Sequence, residues 1–136
     1  MFIGKENLTV QLIAHNLKRI QSEGGDSNFV IFIANQDANY YIQVAGQNGD
    51  SNLYIEAVNN DYISRQYKLE AAALSKLKEL GWADLDPDGS GNYYQNWQVN
   101  SDEVRLQIAV NLMNTFMEVY GFDSNYEELE VNLNLE

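Results

Sequence analysis

At 136 residues, 45% of them hydrophobic, the chain is long enough for one domain with a real core and too short for two. Its 20 acidic and 8 basic residues leave a net charge of -12, which repels a phosphate backbone or an anionic membrane surface, so neither nucleic acid nor membrane is an expected partner. The absence of cysteine excludes disulfides, iron–sulfur clusters, thiolate zinc sites and cysteine nucleophiles.

The opening stretch MFIGKENLTV lacks the cationic and apolar regions of a secretory signal, and the apolar run at 29–34 is far short of the ~20 residues of a membrane helix. A cytoplasmic location is the resulting expectation. Val10, Ile13, Ala14, Leu17 and Ile20 recur at helical spacing opposite Gln11, Asn16 and Lys18, which predicts an amphipathic helix ended by Gly24-Gly25. FVIFIA at 29–34 and YYIQVA at 40–45 are β-branched and aromatic runs too short for buried helices, and predict neighbouring antiparallel strands. LYIEAV at 53–58 comes after Asn48-Gly49, a pair suited to positive φ, and completes a meander.

Helical spacing returns over 68–80, with Leu69, Ala72, Ala73, Leu77 and Leu80 on one side and Gly81 as the cap. YYQNWQV at 93–99 reads as a fourth strand. Ser101 then caps a last helix, with Asp102 and Glu103 in its first turn and an apolar stripe of Val104, Ile108, Leu112, Phe116 and Val119 before Gly121. The order α-β-β-β-α-β-α suggests an α+β fold of helices layered on a mainly antiparallel sheet. Residues 1–122 read as a single domain. In the acidic segment 123–136, Leu129, Val131, Leu133 and Leu135 alternate with Glu130, Asn132 and Asn134, the pattern of an extra edge strand or a fraying tail.

Catalytic constellations are not assembled by these residues. His15 is the only histidine, so neither a histidine metal cluster nor a Ser-His-Asp arrangement can form. Glu56 stands alone among apolar neighbours in the third strand, where alternation by itself can turn it to solvent. Aromatic side chains are more suggestive, because tyrosine and tryptophan are amphipathic anchors enriched at binding surfaces. Tyr41, Tyr54, Tyr94 and Trp97, in the strands, are the candidate contacts for a bound peptide.

DLDPDGSGNYYQ at 84–95 approaches a calcium loop. Asp84, Asp86, Asp88, Gly89, Ser90 and Asn92 match the alternating oxygen ligands and sixth-position glycine, whereas Gln95 replaces the closing glutamate. The segment after Gln95 reads as strand rather than helix, and Asp, Pro, Gly, Ser and Asn are equally the residues of a polar turn. A Ca2+ site formed by Asp84, Asp86, Asp88, Ser90 and Asn92 is therefore the alternative function to peptide binding.

Together, FVIF, YYIQVA, LYIEAVNNDYI, LKELGW and IAVNLMNTFMEVYGF, in that order over about residues 5–122, resemble the TY-Chap domain family, which is grouped with type III secretion chaperones. EAVNN at 56–60 and Gly81-Trp82 are the most specific of these motifs. The acidic DLDPDGSG departs from the shorter proline-containing turn of that family. The resemblance implies an α+β fold with helices on one sheet face, no enzymatic activity, a tendency to form homodimers, and a protein or peptide client.

Overall fold

The computed structural model describes residues 2–84 and 91–136, with Phe2 described by its backbone alone. The chain runs β1 (Phe2–Glu6), α1 (Val10–Ser22), β2 (Asn28–Asn35), β3 (Tyr40–Gly46), β4 (Asn52–Ala57), α2 (Ala71–Glu79), β5 (Ala83–Asp84), β6 (Tyr93–Gln98), α3 (Asp102–Glu118) and β7 (Leu129–Asn134), with short 3-10 turns at Asn60–Tyr62 and Arg65–Tyr67. The strands form one sheet in the order β1-β7-β2-β3-β4-β6-β5, and every pairing is antiparallel. This is the expected α+β class.

Local chemistry sets the ends of the elements. The Thr9 hydroxyl accepts from the Leu12 amide at 3.0 Å and caps α1, while Ser101 does the same for Val104 at the start of α3. Past α1 the chain reverses through Gly24 at φ +65, and Asn39 takes φ +69 between β2 and β3. Asn28, almost wholly buried, ties the first turn together. Its Nδ2 donates to the Ile20 and Glu23 carbonyls, and its Oδ1 accepts from the Gly25 and Glu136 amides.

Register shows which sheet face is covered. Leu133 stands opposite Val30, Val30 opposite Val44, Val44 opposite Ile55 and Ile55 opposite Gln95, and directly paired residues share a face. All five are buried, and the fully buried Ile13, Leu17 and Ile20 of α1 and Ile108, Leu112 and Phe116 of α3 join them in one core. The helices lie on that side, and the core sits between the two layers.

Three features differ from the reading of the sequence. β1 and the two-residue β5 were not anticipated. β7, expected as an edge strand or a tail, lies between β1 and β2 and is paired on both sides, so Leu129, Val131 and Leu133 complete the core. A strand with one apolar face gains most where it has two neighbours, and β1 exists because β7 offers it a ladder. Finally, α2 begins at Ala71 and not near Lys68, because Asn60 brackets Leu69, accepting from its amide and donating to its carbonyl, and holds that stretch non-helical. Ala72 is consequently exposed, and Leu77 is the one buried residue within α2.

Candidate functional site

Because strand side chains alternate, the residues between the core positions of β2, β3, β4 and β6 all point to the face without helices. On it Phe29 lies opposite Ala45, Ile31 opposite Gln43 and Ile33 opposite Tyr41. Ala45 in turn faces Tyr54, and Glu56 faces both Gln43 and Tyr94. All are only half-buried. The result is a broad, partly apolar and partly aromatic surface.

Two adjoining depressions run along β2 and β3. One, of about 350 Å³, is bordered by Phe29, Ala45, Tyr54, Asp26 and Asp50, and the next, of about 330 Å³, by Ile31, Ile33, Tyr41, Gln36 and Asn39. Gln43 borders both, so they form one groove along the strands. Tyr54 and Tyr94 stack diagonally across β4 and β6 with ring centroids 6.0 Å apart and planes 24° from parallel. Burial, and then the negative charge of Glu56, raise the Tyr54 hydroxyl above the usual tyrosine range. Asn132, on β7 opposite Ile31, carries the only buried side-chain oxygen or nitrogen among the described residues that lacks a hydrogen-bond partner, its Oδ1.

Of the four aromatic candidates, Tyr41, Tyr54 and Tyr94 are brought together on this open face, and Trp97 is not. Trp97 stands opposite the buried Leu53 and therefore on the helix side, where its Nε1 donates to Gln95 Oε1 at 2.8 Å. Gln95 itself donates to the Leu80 carbonyl and to Asn111 Oδ1, so this cluster ties β6 to α2 and α3. Phe29, Ile31 and Ile33 were missed as surface residues. The signal was present: an antiparallel strand apolar on both faces, in a chain whose helices cover one face, leaves an apolar row uncovered.

Asp86, Asp88 and Ser90 of the proposed calcium loop lie outside the described residues, as does Gly89. Asp84 is in β5 opposite Tyr93. Asn92 is engaged within the protein, its Oδ1 accepting from the Asn59 amide at 3.1 Å and its Nδ2 donating to the Tyr41 hydroxyl at 3.0 Å. No group of three or more His, Cys, Asp or Glu side chains is gathered for a metal ion among the described residues. His15 is exposed on α1, and Glu56 is part of the open face.

A second exposed apolar strip runs along α3 through Leu106, Val110 and Met117, on the helix layer away from the groove. Among the described residues, no helix is long and apolar enough to cross a membrane.

Comparison with known proteins bears on the groove. The model of a family described as TY-Chap3, T3SS (YopN, CesT) and YbjN peptide-binding chaperone 3, matches residues 10–132. No curated protein and no solved structure matches the chain. The match reaches into β7 and so spans every strand that forms the groove.

Proposed function

The chain belongs to the TY-Chap3 family of peptide-binding chaperones, and from that premise we propose that it is a non-enzymatic module that holds an extended segment of a client protein on its open sheet face. The observation that carries this reading is the row of Phe29, Ile31, Ile33, Tyr41, Tyr54 and Tyr94, which share a face that no helix covers. Contiguous exposed apolar surface of this kind marks interaction sites. An extended peptide lying along the groove presents alternate side chains to the Phe29 and Ile31–Ile33 depressions, and the tyrosine hydroxyls and Gln43 offer hydrogen bonds to its backbone.

The client is met in the cytoplasm, in keeping with a chain of this charge and composition. A homodimer leaves the groove free, because stacking this face of two chains that each carry a net charge of -12 brings like charges together.

Selection of displayed random peptides against the folded chain, followed by amide chemical-shift mapping with the enriched sequences, tests the proposal. Shifts are expected at 29–33, 41–45, 54–56 and 94–96. Enrichment with shifts confined to α1 and α3, or no enrichment at all, overturns it.

A further inference from the structure

Charge is distributed unevenly around the groove. At one end, where β2 begins, Asp26 and Asp50 border the depression next to Phe29. At the other, where β2 ends, Asp37, Glu127, Glu128 and Glu130 gather around Ile33, with Lys5 the one cation among them. The ion pairs among the described residues all lie on or beside the helices, joining Lys18 and Arg105 to Asp102, Arg19 to Glu23, and Lys76 to Glu79 and Glu118. Among the described residues no ion pair neutralises either acidic rim, although Lys5 stands opposite Glu130 in the β1–β7 ladder.

Between the rims the floor formed by β2 and β3 is uncharged, with Glu56 of β4 beside its middle, opposite Gln43. Phe29, Ile31 and Ile33 alternate along β2 beside Ala45, Gln43 and Tyr41 of β3. From Phe29 to Ile33 is about 13 Å, the rise of roughly four residues of extended peptide, so groups that reach past both ends to the rims are about six residues apart.

We infer that the groove selects an extended peptide with alternating apolar side chains between two cationic residues, one seated at the Asp26–Asp50 rim and the other at the Asp37–Glu130 rim. This rests on the reading of the open face as the client site and adds to it the chemistry of the client. The apolar floor gives contact area without direction, while the two rims fix register and exclude anionic segments by like-charge repulsion. The same rims disfavour a second copy of this acidic chain as the occupant.

Peptides of about seven residues, blocked at both termini, with valine at alternate inner positions and lysine, serine or glutamate at both ends, test the inference by amide shift titration of the full chain. The lysine-ended peptide is expected to bind roughly three- to tenfold tighter than the serine-ended one, as a few exposed ion pairs allow, and the glutamate-ended peptide more weakly than either. The advantage should vanish in about 0.5 M sodium chloride. It should also shrink in the double variant Asp26→Asn/Asp50→Asn but not in Glu70→Gln/Glu103→Gln, which removes as much charge from the helix side.

If serine- and lysine-ended peptides bind the open face equally, the cationic requirement is wrong and the groove still stands. Equal losses in the two double variants would mean that net charge, not the rims, does the attracting, and would also overturn the inference. If no peptide moves the signals of 29–33 and 41–45, or if Ile31→Lys abolishes a dimer seen by sedimentation, the groove reading falls together with it.

Discussion

Tyr120 shows how one buried side chain joins layers. Its hydroxyl donates to the Val58 carbonyl at 2.8 Å just beyond β4, and its ring packs on Tyr40 with centroids 5.1 Å apart and on Phe116 at 6.3 Å. Burial, above all, pushes its ionisation well above the usual tyrosine value, with Tyr93, Tyr41 and Tyr40 adding to the shift. Because the unfolded chain ionises first, at about pH 10, this contribution to stability is complete below that pH and is lost as pH rises through the folded-state value. Tyr120→Phe leaves the Val58 carbonyl unpaired and is expected to cost ~1 kcal/mol at neutral pH. It should also flatten the fall of the urea midpoint between about pH 9 and 11. Some slope will remain, since burial raises Tyr40, Tyr54 and Tyr93 in the same direction. An unchanged alkaline slope in the variant would refute this assignment.

At the scale of elements, β7 is the piece on which the rest leans. It separates β1 from β2, supplies Leu129, Val131 and Leu133 to the core, and leads into Glu136, whose amide and carbonyl bond Asn28 and Ser27 at the turn after α1. Ending the chain after Gly121 strips β1 of its partner, bares one edge of β2 and opens the core beneath it. The expected outcome is loss of a cooperative urea transition together with binding of a hydrophobic dye. A truncated chain that unfolds with the full-length midpoint would show that β7 is dispensable. The alternation of 129–135 identified a strand, but nothing local to it could say that its partners are residues 2–6 and 29–33. Those pairings close loops of about a hundred residues, whose outcome is set by which ladder leaves the least apolar surface exposed.

For the whole molecule, charge works against compactness. The ion pairs among the described residues are solvent-exposed on at least one side, so each contributes little, while a net charge of -12 repels itself throughout. Raising sodium chloride from about 20 to about 300 mM should therefore raise the thermal midpoint by roughly 2–5 °C. A fall over that range would mean that the surface pairs outweigh the repulsion. The surplus of acid is tolerable for folding because the core lies between the sheet and one layer of helices. On the open face, the same acidity flanks an apolar groove.

The sequence by itself determined whatever local chemistry decides. The stripes of α1 and α3, the cap Ser101, the turn at Gly24 and the meander of β2, β3 and β4 arise from spacing, side-chain hydrogen bonds and β-propensity within a few residues. The family resemblance was legible too, in short motifs over most of the chain. Only the tertiary structure decided which face of each strand is covered, because a register shift of one residue inverts every side chain and no local signal chooses between the two. That is why Tyr41, Tyr54 and Tyr94 could be proposed together with Trp97 from composition, yet register turns Trp97 toward the helices. It is also why the apolar row of Phe29, Ile31 and Ile33, which the run at 29–34 taken alone does not distinguish from a strand buried on both sides, lines a groove: α1, α2 and α3 all pack on the other face of the sheet.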